Sequence, residues 1–270
     1  MTLLDLKHFN LSLLQRYRMV PILKDISLSI TTGETLGIVG ESGSGKSLLM
    51  YSLLGILPKT GEVSFESFSF NNFDISKKDI SSIRPSMAMI LQDPKASLNP
   101  VMTIGEQIRE ALILQGAEDH SDERVIQSLK EVSIEYPKRV FSSYPSDLSG
   151  GMAQRVMIAM MLALKPKLLI ADEPTSSLDA HIQRDILALL REKACQHGMT
   201  LVIVSHDLPL VSTYCDRVVV MYKGSIVEIC KAEDLNRSTH PYTKGLLACL
   251  PRLNDKRKRL PVLNRGSLES

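Results

Sequence analysis

Cysteine is scarce and badly spaced for metal chemistry. The four present, Cys195, Cys215, Cys230 and Cys249, form no C-x-x-C pair. That speaks against a zinc or iron–sulfur cage and for reduced structural thiols. The histidines are scattered too, with no H-E-x-x-H spacing, so no metal site formed wholly by this chain is expected. Long apolar runs are missing. The longest, "VMIAMMLAL" at 156–164, falls far short of the roughly 18 to 20 residues that cross a bilayer. The opening "MTLLDLK" has no basic region followed by an apolar stretch and a small-residue cleavage site, so a soluble chain inside the cell is expected. An excess of one charge is lacking as well. With 32 Lys plus Arg against 30 Asp plus Glu, the chain does not have the strongly basic balance of a nucleic-acid-binding domain. No internal repeat is visible.

What is present is enough, at 270 residues, for one large or two small domains with a buried core. Short β-type runs fill the first ninety residues: "LLDLKHF", "ISLSI", "TLGIVG", "GEVSF" and "SMAMIL", with turns at Thr60-Gly61 and at "NNFD". "KSLLMYSLLGIL" (46–57) has helical length and spacing, and Pro58 is expected to stop it. From about 95 to 165 the texture is helical. Thr103 and Glu106 form a capping box, and Ser121 caps a helix whose first turn holds Asp122 and Glu123. Then strand and helix alternate: "KLLIAD" (167–172), a helix over 180–196, "TLVIVSH" (200–206), and a hairpin over 217–229 turning at Lys223-Gly224. Buried apolar strands separated by helices predict an α/β fold whose parallel sheet is covered on both faces. A helical subdomain at about 95–155 is inserted into it.

Chemistry begins at "GESGSGKS" (40–47), which fits G-x-x-x-x-G-K-[ST] directly after a strand and directly before a helix. In such a loop the backbone wraps phosphates, Lys46 reaches the β and γ groups, and Ser47 can hold Mg²⁺. "LLIADEP" ends an apolar strand on two carboxylates, where a parallel sheet places its ligands. Asp172 would hold Mg²⁺, and Glu173 would polarise an attacking water. "LVIVSHD" delivers His206 to a second strand end, where an imidazole can bond a γ-phosphate. Gln92 leaves the strand "SMAMI", placed to sense Mg²⁺ and water. A second glycine pair, in "LSGGMAQRV" (148–156), opens a helix and offers free N–H groups to phosphate without a lysine.

The ordered set of Walker A, a glutamine loop, LSGG, Walker B with its following glutamate, "SSLD" and "SHD" resembles the ATP-binding cassette (ABC) ATPases over about residues 3–235. The resemblance implies a RecA-like parallel-sheet core, an N-terminal antiparallel β subdomain and the inserted helical subdomain. It implies ATP and Mg²⁺ as cofactors. Gly40, Glu41, Ser42, Gly43, Ser44, Gly45, Lys46, Ser47 and Leu48 would bind ATP, with Ser47, Gln92 and Asp172 on the metal. Catalysis would fall to Glu173, His206 and Gln92. In this family two cassettes pack head to tail, so Ser149, Gly150 and Gly151 would close over an ATP held by another subunit. Asp179 would lie across that seam, and Tyr17 would stack on adenine. Two residues depart from the pattern. Met152 replaces the usual signature glutamine and puts a polar contact there in question, and Ser177 replaces an alanine.

"LQDPKASLNP", "LSGGM" and "HPYTKGLL" together resemble the importer ATPases for oligopeptides, dipeptides and nickel. Many peptide-type members carry a cysteine-rich C-terminal segment that this chain lacks, which favours nickel or a metallophore as cargo, with peptide close behind. The resemblance implies a cassette domain at 1–235 and a C-terminal extension at 236–270. The protein would sit peripherally on the cytoplasmic face of the membrane. Its partners would be a second ATPase subunit, a sister or a copy, two transmembrane permeases and, indirectly, an extracytoplasmic solute-binding protein. The basic run "NDKRKR" (254–259) reads as a solvated tail or a contact for anionic lipid. An ABC ATPase acting on nucleic acid or ribosomes is the alternative. Only about a hundred residues separate Walker A from the signature, with no sustained heptads and one cassette copy, which counts against it. A cassette that binds ATP without cutting it should lack Glu173 or His206, and both are present.

Overall fold

The computed structural model describes residues 1–58, 60–75, 83–176 and 178–249. Ser177 and the basic run at 254–259 lie outside them, as does the C-terminal extension beyond Cys249.

Two sheets organise the described residues. The first is antiparallel: β1 (Thr2–Gln15) pairs with β2 (Arg18–Thr31), with β4 (Gly61–Ser64) and with β5 (Ser67–Phe70), and β5 pairs with β6 (Phe73–Asp74). Pro21 sits on β2, an edge strand, where a missing N–H costs no ladder bond. The second sheet has the order β11-β10-β3-β9-β8-β7, built from β3 (Thr35–Val39), β7 (Met87–Ile90), β8 (Leu168–Asp172), β9 (Thr200–Ser205), β10 (Arg217–Tyr222) and β11 (Ser225–Lys231). All its pairings are parallel except β10 with β11.

Every residue of β3, β8 and β9 is buried, as continuous apolar runs require in a sheet covered on both faces. Alternate side chains serve opposite cores. Leu36, Ile38, Leu168, Ile170, Val202 and Val204 join the antiparallel sheet and helix α1 (Lys46–Leu53). Leu169, Ala171, Leu201 and Ile203 face the helices on the other side. Between β7 and β8 the chain forms α2 (Pro94–Ser97), α3 (Ile104–Leu114), α4 (Asp122–Glu131), α5 (Pro137–Phe141) and α6 (Gly150–Ala163). The capping box predicted at Thr103 and Glu106 is present, as is the Ser121 cap. Helices α7 (Ala180–His197), α8 (Leu208–Tyr214) and α9 (Pro241–Ala248) follow β8, β9 and β11 among the described residues.

Helix α1 is shorter than its sequence suggests. Gly55 adopts φ 64°, its N–H donates to Ser52, and the N–H of Ile56 donates to Tyr51. That crossed pair ends the helix at Leu53, before Pro58 can act.

Candidate functional site

The strand order decides what meets what. With β3, β9, β8 and β7 adjacent and parallel, the segments leaving their C-terminal ends share one edge. Those segments carry the glycine loop at 40–47, His206, Asp172-Glu173 and Gln92.

The loop needs its glycines. Gly43 and Gly45 adopt φ 80° and 103°, and a Cβ on Gly40 would lie 2.2 Å from the carbonyl oxygen of Met221. Lys46 is buried, its Nζ donating to the carbonyls of Gly40 (2.8 Å) and Glu41 (2.9 Å). Burial pulls its pKa below the usual lysine value, while the carboxylates of Glu173 and Asp172 oppose that shift. The N–H of Ser44 donates to Glu41, and the carbonyl of Ser44 accepts from Gly224 in the β10–β11 turn.

Asp172, the last residue of β8, is also buried. Its Oδ1 accepts from the Ser47 hydroxyl at 3.1 Å. Burial raises its pKa above the carboxylate range; the Ser47 bond opposes this, the Glu173 charge adds to it, and Lys46 opposes it. Glu173 turns with φ 44° and donates its N–H to Val204 on β9. That turn aims its carboxylate between two neighbours: Oε2 accepts from Gln92 Nε2 at 3.3 Å, and Oε1 lies 3.3 Å from His206 Nδ1. Ser42, Gly43, Gly45, Lys46, Ser47, Leu48, Gln92 and Glu173 line one open cavity of about 330 Å³, with Ile22 at its rim.

Other predicted residues lie elsewhere. Tyr17 is 99% exposed at the tip of the β1–β2 hairpin and does not line that cavity; Ile22 does. Ser149 caps α6, its Oγ accepting from the N–H of Met152 at 3.3 Å. Ser149, Gly151 and Met152 line a different cavity of about 450 Å³, together with Tyr136 and Arg155. The two glycine-rich segments of one chain therefore line separate cavities. Asp179 caps α7, accepting from the N–H groups of His181 and Ile182, a role that its "SSLD" context did not disclose. The described residues hold no cluster of three or more His, Cys, Asp or Glu able to bind a metal. All four cysteines are free.

A family model for ABC transporters matches residues 23–176. The dipeptide transport ATP-binding protein DppD of Haemophilus influenzae is 44% identical over 97% of this chain and 82% of its own length. This chain belongs to the ABC transporter family. The oligopeptide transport ATP-binding protein OppD of Salmonella typhimurium is 41% identical over 88% of this chain and 72% of its own. Among solved structures, a dimeric post-hydrolysis state of the ATP-binding cassette MJ0796, bound to ADP and phosphate, superimposes with a TM-score of 0.71 at 28% identity. It covers 85% of this chain and 98% of that cassette. The chain is an ABC ATPase, and its activity is ATP hydrolysis coupled to transport. No helix among the described residues of this ABC ATPase is long and apolar enough to cross a membrane.

Proposed function

We propose that this ABC ATPase energises uptake of peptides, docked peripherally on the cytoplasmic face of the membrane beneath two permease subunits. The observation that carries the cargo class is the 44% identity to a dipeptide transport protein over nearly the whole chain. The nickel or metallophore preference rested on a missing cysteine-rich segment. A C-terminal segment of an ATPase need not touch the cargo, so that absence is a poor guide, and the relatives quoted above are peptide proteins. Nothing in them favours action on nucleic acid or ribosomes.

In this reading Gly40 to Leu48 cradle the ATP phosphates, and Lys46 supplies the cation that backbone amides cannot. The Ser47 hydroxyl and Asp172 carboxylate lie together as hard oxygen donors, the chemistry that Mg²⁺ selects. A buried carboxylate with a raised pKa is also a group that a divalent cation relieves. Gln92 completes that set. Mg²⁺ held by Ser47, Asp172 and Gln92 would supply positive charge beside the phosphates. Glu173 accepts a proton from the attacking water, Gln92 orients its carboxylate, and His206 hydrogen-bonds the γ-phosphate. Ser149, Gly150 and Gly151 close over the ATP of a second cassette, Asp179 lies at the seam, and the exposed Tyr17 ring is available for adenine. A solute-binding protein delivers cargo without touching this chain.

Uptake of a labelled dipeptide in a strain lacking this gene tests the cargo. Uptake returns with the wild-type gene and not with Glu173→Gln, while nickel uptake is the same in all strains. Loss of nickel uptake with dipeptide uptake intact would overturn the peptide assignment.

A further inference from the structure

Tyr242 belongs to the "HPYT" segment, yet it touches the phosphate loop. Although 201 residues apart, the Tyr242 hydroxyl accepts a hydrogen bond from the N–H of Glu41 at 3.1 Å. Its side chain is 0% exposed, with the ring against Tyr222 at the end of β10, centroids 4.3 Å apart. The seat of α9 is built around one carboxylate. Glu228 of β11 accepts from the hydroxyls of Ser238 (2.6 Å) and Thr243. The His240 side chain then caps the helix by accepting from the N–H of Tyr242.

The Glu41 N–H and the Gly40 carbonyl belong to one rigid peptide plane. On one side the carbonyl takes the Lys46 ammonium at 2.8 Å. On the other the N–H is taken by Tyr242. When Lys46 moves toward a phosphate, the tyrosine bond still holds the N–H end of that plane, and with it the path of the loop. The β10–β11 turn supports the same loop farther along, where Gly224 donates to Ser44. We infer that Tyr242 is a positioning residue for ATP binding, through which helix α9 sets the geometry of the phosphate loop. It does not touch the nucleotide.

Tyr242→Phe removes the hydroxyl and keeps the ring stack. Calorimetric titration of the full chain with Mg-ATP should show affinity weakened about threefold to tenfold, as expected for one hydrogen bond. Val125→Ala, a truncation in the core of α4, calibrates what plain loss of stability does to affinity. The inference requires the phenylalanine variant to lose clearly more affinity than Val125→Ala. Wild-type affinity in Tyr242→Phe, or a loss no greater than that of Val125→Ala, would overturn it. A wild-type chain that does not bind Mg-ATP would overturn the nucleotide assignment itself, and this inference with it.

Discussion

Replacing Lys46 by methionine separates the charge from the stem. Methionine keeps a flexible apolar chain of similar reach, so the buried volume around residue 46 changes little. Without nucleotide, the ammonium gains two hydrogen bonds, to the carbonyls of Gly40 and Glu41 at 2.8 and 2.9 Å. Against them stands the desolvation that pulls its pKa down. These terms oppose each other, so the variant should differ from wild type by no more than about 1 kcal/mol, or roughly 4 °C in Tm for a domain of this size. With ATP the balance changes. Phosphate oxygens lose a charge-assisted partner worth about 1.5–3 kcal/mol, which corresponds to roughly 10- to 150-fold in affinity. Differential scanning fluorimetry without nucleotide and calorimetric titration with Mg-ATP read the two effects separately. A Tm drop above 10 °C with unchanged ATP affinity would make Lys46 a structural residue and refute the reasoning.

Gly224→Ala should destabilise the chain strongly. Its Cβ would lie 1.9 Å from the Ile22 carbonyl oxygen at φ 86°, and neither backbone can yield cheaply, so a Tm loss smaller than that of a surface alanine substitution would count against the turn geometry. Asp172→Asn tests the buried carboxylate through pH. A raised native pKa means the folded state holds its proton more tightly; that stability is present at low pH and lost as pH rises through the native value. In Mg²⁺-free buffer the Tm of Asp172→Asn relative to wild type should therefore climb from pH 4 to pH 7, and a falling difference would contradict it. Ser149→Arg should leave ATP binding by the isolated chain nearly intact, with about 1 kcal/mol of helix stability lost with the cap. Hydrolysis by the assembled transporter should collapse; weakened binding by the isolated chain would mean that the signature serves its own nucleotide.

The site was legible where its chemistry is contiguous. "GESGSGKS", "LLIADEP" and "LVIVSHD" each place a candidate residue at a strand end, and the parallel order of β3, β9, β8 and β7 then gathers them. That order is a pairing between distant segments, which no local pattern encodes. The same holds for the contact between Tyr242 and Glu41, and for the Glu228 carboxylate that seats α9. Strands β1 and β2 read as shorter runs than they are. Around Tyr17 both strands are largely exposed, so the alternation that marks a half-buried strand fades there. Helix α1 was overextended because apolar spacing continues through Leu57, while the signal that ends the helix is a single glycine with positive φ. Met152, where a polar signature residue was expected, packs instead against the hydrophobic core.

Coupled hydrolysis is the most direct test of the proposed function. The transporter should be isolated through a tag on this chain and reconstituted in lipid vesicles with its solute-binding protein. Phosphate release from Mg-ATP is then measured with and without a dipeptide. The prediction is peptide-stimulated release that falls by more than half when Glu173 is replaced by glutamine, with ATP still bound. Release that ignores the peptide, or that proceeds at the wild-type rate in Glu173→Gln, would contradict it.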